Sequence, residues 1–168
     1  AMVPAVPTVP PVSCFATTPY TKDFLNDLLE QRDSGLIYSL HLNLTHGQPL
    51  SPIEKVKTLV DSKTGRFFSH KKLILKCLTK QVDLQELKQE IRAQLNTLLN
   101  KGVPVSSVDG HHHVHLLPPV AVALSEVLTE FKIREVRVLN DPEHFYSYLQ
   151  TNFFKKYKGI SFQKIEKG

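Results

Sequence analysis

The feature that most restricts this chain is an alternation of short apolar runs with amphipathic stretches. "VSCFAT", "GLIYSLHLNLT", "VPVSSVDG" and "IREVRVL" have the length, composition and flanking turn residues of strands. Helical patterns separate them. In "TPYTKDFLNDLLEQ", Thr18 caps, Pro19 enters the first turn, and Phe24, Leu25, Leu28 and Leu29 form a stripe. "SHKKLILKCLTK" predicts a short helix, and "VDSKTGRFF" before it a turn between extended pieces. "VDLQELKQEIRAQLNTLLNKG" predicts the longest helix, with a capping box from Asp83 and Glu86, a Leu84, Leu87, Ile91, Leu95 and Leu98 stripe, and Gly102 as its stop. "PPVAVALSEVLTEF" turns Val120, Leu124, Val127, Leu128 and Phe131 to a core, and "DPEHFYSYLQTNFF" opens with a cap and a proline. Strands separated by connections this long pair in parallel with helical crossovers. The expected fold class is therefore α/β with a parallel sheet, and its ligands should gather at the carboxyl ends of the strands.

Length and composition narrow the field further. The chain has 168 residues, enough for one core but short of the roughly 250 of a complete eight-stranded barrel. No run of about 18 apolar residues is present, so no membrane span is expected. The start lacks the basic and apolar segments of a signal peptide, which with two widely spaced cysteines, Cys14 and Cys77, predicts a cytoplasmic protein with reduced thiols. Met2, the single methionine, follows Ala1 as an initiator follows one tag-derived residue, so the coding sequence is expected to begin there. Prolines 4, 7 and 10 predict an extended arm over residues 1–10, ahead of one domain over 11–157. The net charge of +5 is concentrated in "KKYKGISFQKIEKG", whose end, 158–168, reads as a solvated basic tail. It lacks the interleaved aromatics of a nucleic-acid platform, so no nucleic-acid partner is expected.

The strand ends carry the chemistry. Alternation places Leu36, Leu40, Leu42 and Leu44 under helices and turns Ser39, His41, Asn43 and Thr45 the other way. Polar groups on a buried parallel strand are costly unless they bind something. In "VDGHHHVHL", an extended backbone would give Asp109, His111, His113 and His115 one parity, so two neighbouring strands would aim imidazoles at one spot. Histidine with carboxylate is the donor set of a hydrolytic divalent-metal centre. The competing reading is a set of satisfied structural histidines, to which His112 or His115 alone is the more open. An affinity-tag remnant does not fit, because the cluster is internal and interrupted by Val114. The "NLT" sequon at Asn43 falls in a strand predicted to be buried and is read as empty.

Four ordered blocks, "LHLNLTHGQPLSP", "LVDSKTGRFF", "EIRAQLNTLL" and "VDGHHHVHLLPPV", resemble the YdjC-like family of carbohydrate deacetylases, over about Val12 to Leu139. The resemblance implies a distorted β/α-barrel, here partial, and a divalent ion, magnesium or zinc. It also implies hydrolysis of the acetyl group from an N-acetylated sugar or chitooligosaccharide. By the same resemblance His41 and His111 bind the ion, and Asp109, His113 and His115 serve catalysis or support the ligands. Asn43 and Arg137 face the substrate. The family's Asn-Ala-Asp-Asp-Phe-Gly strand has no counterpart here, nor does its later His-Pro motif, and Ser39 stands where a glycine is common. A third ligand is left open between Asp61, Asp141, a partner subunit and water. The alternative is a degenerate sugar-binding or interaction domain. Open strand edges in a partial barrel predict a homo-oligomer, with the proline-rich arm exchanged between copies.

Overall fold

The computed structural model describes residues 12–18, 36–139 and 161–165. Its strands are β1 (Val12–Cys14), β2 (Tyr38–Leu42), β3 (Val105–Gly110), β4 (Glu135–Leu139) and β5 (Ser161–Ile165). They form one sheet in the order β1-β2-β3-β4-β5, parallel throughout. Consecutive order without reversal is the progression of a β/α barrel rather than of a doubly wound sheet. The helices are α1 (His70–Leu78), α2 (Leu84–Leu99) and α3 (Pro118–Glu130). The proline-rich arm and the helices predicted after Thr18 and Asn140 lie outside the described residues. One boundary is corrected: Ser161–Ile165, read as part of a basic tail, pairs with β4 across Glu135↔Ser161 to Leu139↔Ile165.

The sheet separates two chemistries. On one face Cys14, Leu40, Val108 and Val136 are in register and no more than 1% exposed. They share a core with Leu87, Ile91, Leu95 and Leu98 of α2 and Val120, Leu124, Val127 and Leu128 of α3. This is the predicted leucine parity, and removing one such side chain costs about 2–5 kcal/mol. On the other face Ser13, Ser39 and Ser107 are register partners, and His41 and Asp109 pair one layer further along.

The long helix starts by a relay. Asp83 accepts from the amides of Gln85 (2.7 Å) and Glu86 (3.0 Å) as an N-cap should. Glu86 does not complete the predicted box directly. Its carboxylate takes the Thr58 amide (2.6 Å) and hydroxyl (2.7 Å), and the Thr58 oxygen accepts from the Asp83 amide (3.0 Å). The turn before α1 is as predicted, with Val60 and Phe67 bridged antiparallel and Gly65 at φ 66°.

Candidate metal and sugar site

Pairing of His41 with Asp109 depends on one extra residue. Tyr38 pairs with Val105, but Ser39 pairs with Ser107, so Ser106 is a bulge, its hydroxyl donating to the Tyr38 carbonyl at 3.3 Å. Without that insertion Val108 would lie opposite His41. With it, Asp109 does, and His41 Nδ1 donates to Asp109 Oδ1 at 2.6 Å.

Asp109 is held from three strands. Ser13 of β1 donates to both carboxylate oxygens (2.8 and 2.9 Å), and Arg137 Nη1 of β4 donates to Oδ2 at 3.1 Å. Burial pushes its pKa up, but the His41 hydrogen bond and charge, then Ser13 and Arg137, outweigh this and leave it below the ordinary carboxylate range. It is therefore an acceptor for the His41 Nδ1–H, which leaves Nε2 as the ring nitrogen not engaged by the carboxylate. The resemblance implied that Asp109 supports a ligand, and its contact with the His41 ring is of that kind. Arg137, expected to face substrate, is engaged by this carboxylate instead.

His111 follows at the end of β3. Its ring centroid lies 5.5 Å from that of His41 with planes at 67°, and Phe15 packs edge-on against both, at 4.4 Å from His41 and 5.3 Å from His111. Burial first, then the neighbouring His112, His41, His46 and His70, lower its pKa to about 4, so the ring is neutral at physiological pH and keeps a free lone pair. Two imidazoles at this separation, one braced by a carboxylate, fit two ligands of a divalent ion. Among the described residues no group of three or more His, Cys, Asp or Glu is placed to hold one. Asp61, a candidate third ligand, instead accepts from the Lys63 amide at 3.0 Å and pairs with Lys72 at 3.9 Å. Asp141 lies outside the described residues.

The parity expected beyond Asp109 fails. The chain leaves the extended conformation after Gly110 and turns through His111–Leu116, with His112 and His113 at φ 51° and 55°. His113 is carried to the surface, its ring 6.3 Å from that of His115. His115, expected to work in the pocket, is 1% exposed. Its Nε2 donates to the Arg137 carbonyl at 2.8 Å, so Nδ1 carries no proton and lies against Gly110. Burial lowers its pKa to about 4. His115 is a clamp from the turn to β4.

Asn43, expected to face substrate, lines the cavity of the site, with its side chain bonded within its own loop. At 2% exposure, its Nδ2 donates to Thr17 Oγ1 (2.7 Å) and the His46 carbonyl (2.8 Å), while Oδ1 accepts the Thr45 and His46 amides. All four hydrogen-bonding positions of the amide are used, so it shapes the loop and leaves nothing for a substrate. The sequon is accordingly inaccessible. Two supporting residues went unforeseen. Gln94 bonds the Asn43 backbone at both its amide and carbonyl, and the fully buried Glu90 carboxylate accepts from the Leu50 and Ser51 amides and from Gln94. The available signal was a polar pair four apart flanking the leucine stripe of α2.

This loop walls a cavity of about 1000 Å³ whose lining includes Phe15, Thr17, Gln48, Arg66 and His111. The described cysteines, Cys14 and Cys77, are free and buried. Among the described residues no helix is long and apolar enough to cross a membrane.

A parallel sheet with covering helices defines an α/β fold compatible with a partial barrel, and the braced His–Asp pair and second histidine stand at the carboxyl ends of adjacent strands. The chain belongs to the YdjC-like protein family, whose model matches residues 8–165. It is 29% identical over 135 residues to a carbohydrate deacetylase of Clostridium beijerinckii, covering 79% of this chain and 52% of the relative. It is 38% identical over 105 residues to a carbohydrate deacetylase of Danio rerio, covering 61% of this chain and 33% of the relative. The chain thus spans about half the length, or less, of these curated relatives. A crystal structure from Enterococcus faecalis, of a protein provisionally named for cellobiose-phosphate cleavage, shares the fold. Its TM-score is 0.69 at 23% identity, over 89% of this chain and 54% of that one.

Proposed function

We propose that this chain carries the ion-binding part of a metal-dependent carbohydrate N-deacetylase, acting on the acetamide of an N-acetylated sugar or chitooligosaccharide. The observation that carries the proposal is the His41–Asp109 pair set 5.5 Å, ring to ring, from His111 beside a sugar-sized cavity. The names of the relatives support the same chemistry. His41 and His111 would hold magnesium or zinc. Such an ion supplies Lewis acidity toward a carbonyl and makes water a nucleophile near neutral pH.

The chain's own groups do the rest. Asp109 takes the His41 Nδ1–H and so leaves Nε2 as the nitrogen for the ion, while Ser13 and Arg137 hold Asp109 in place. Phe15 excludes water from one flank of both rings and offers an apolar face to a sugar ring. Thr17, Gln48 and Arg66 supply hydroxyl-binding groups around the cavity. The test is acetate release from N-acetylated chitooligosaccharides with added magnesium or zinc. Activity should fall at least 100-fold in both His41→Ala and His111→Ala. Undiminished turnover in the double variant would remove these residues from the reaction.

A second reading is a sugar-binding module without turnover, favoured because among the described residues no group of three or more His, Cys, Asp or Glu is placed to hold an ion. Calorimetric sugar binding that needs no ion and yields no acetate would select it. Self-association belongs to the first proposal, because β1 and β5 each have a strand neighbour on one side only among the described residues. Sedimentation that stays monomeric at high concentration would refute it.

A further inference from the structure

His112 is exposed, yet its backbone is held in the left-handed region at φ 51°, followed at once by His113 at φ 55°. Two consecutive non-glycine residues in that region are costly and persist only where the surroundings enforce them. Burial does not enforce them here. What the conformation achieves is a placement: the His112 ring lies on the His111 ring, centroids 3.9 Å apart and planes at 36°. Two further contacts fix it there. Thr45 Oγ1 stands 3.2 Å from His112 Nδ1, and the His70 ring, at the start of α1, is 5.0 Å away. Thr45 is itself set by Asn43, which accepts its amide. The loop after β2 thus reaches across to the turn after β3 through one side chain.

We propose that His112 is a positioning residue for His111, and that the strained turn is kept for this purpose. The inference rests on the reading of His41 and His111 as an ion site. His111 follows the last residue of β3, and among the described residues no carboxylate hydrogen-bonds it as Asp109 does His41. Its ring is confined instead between Phe15, edge-on at 5.3 Å, and His112, stacked at 3.9 Å. A ring already confined loses less rotational freedom when it takes up an ion, so His112 raises affinity without touching the ion. Thr45, which no chemistry of its own places in the site, acts by holding His112.

Calorimetric titration of the full chain with zinc and with magnesium, at one fixed pH, tests this with the variants His111→Ala, His112→Gly and His112→Phe. Glycine accepts the left-handed backbone without strain. His112→Gly should therefore melt at or above the wild-type temperature while its ion Kd rises about tenfold, the scale of outer supports in metal sites. His112→Phe keeps the ring and the strain, and should recover most of the affinity. Stability and affinity moving in opposite directions is a result that a merely structural role does not produce. Wild-type affinity in His112→Gly, with His111→Ala weakened, would overturn the role of His112 and leave the ion site standing. Affinity falling in step with a lowered melting temperature would also overturn it. Absence of ion binding in the wild type, or wild-type affinity in His111→Ala, would overturn both.

Discussion

Acidification should unfold this protein partly through His115, a side chain outside the cavity. The folded structure takes the ring only as the neutral species, Nε2–H on the Arg137 carbonyl and Nδ1 against Gly110, and burial lowers its pKa from 6.5 to about 4. Between those values the unfolded chain binds a proton that the native state does not, so stability is intact above pH 6.5 and is lost as pH falls toward 4. Linkage with these two values gives a loss of about 2 kcal/mol at pH 5 and about 3 kcal/mol once pH is below 4. His111 and His70 shift in the same direction and add to the wild-type slope. A variant must therefore isolate His115. His115→Gln retains a donor for the Arg137 carbonyl and does not titrate. Urea unfolding followed by far-UV circular dichroism, since the chain has no tryptophan, would be run on both proteins from pH 7.5 to 5. The wild type should lose about 2 kcal/mol more than the variant over that interval. Parallel stability curves would refute the assignment of His115 as a buried neutral clamp.

Three further outcomes follow from contacts in the same region. Gly110→Ala places a Cβ 2.5 Å from His115 Nδ1 and 3.0 Å from Cγ, at an extended backbone that alanine otherwise accepts. The resulting overpacking should cost about 1–3 kcal/mol in urea unfolding. Glu90→Ala leaves the Leu50 and Ser51 amides and the Gln94 side chain without their acceptor, and should cost about 3 kcal/mol by the same assay. Asp109→Asn removes the charge facing Arg137 and the strong acceptor for His41 Nδ1, so zinc Kd measured by calorimetry should rise about 10- to 100-fold.

Period-2 alternation placed Leu40 and Leu42 against Ser39 and His41 correctly, and the stripe and start of α2 were legible in its leucine spacing and Asp83. Those signals are local and repeated over many residues. What escaped depends on single-residue events with no mark in residue type. The bulge at Ser106 shifts a register that composition cannot reveal, and it decides that Asp109 rather than Val108 meets His41. The left-handed pair at His112 and His113 ended the parity carried forward from Asp109, and histidine does not announce such a turn as glycine would. Asn43 lay on the inward face as expected, but a polar side chain there can serve its own loop as readily as a ligand. The strand at Ser161–Ile165 was hidden by the lysines around it, whose charge spoke for solvent while the backbone paired with β4.

The ties from Glu90 and Gln94 make the loop after β2 an extension of α2, although they are far apart along the chain. The amides of Asn43, Leu50 and Ser51 are secured by side chains of a helix, not by a strand ladder. In hydrogen exchange they should therefore share the protection of α2 and open only with it. The cavity wall then holds its shape for as long as that helix stays wound.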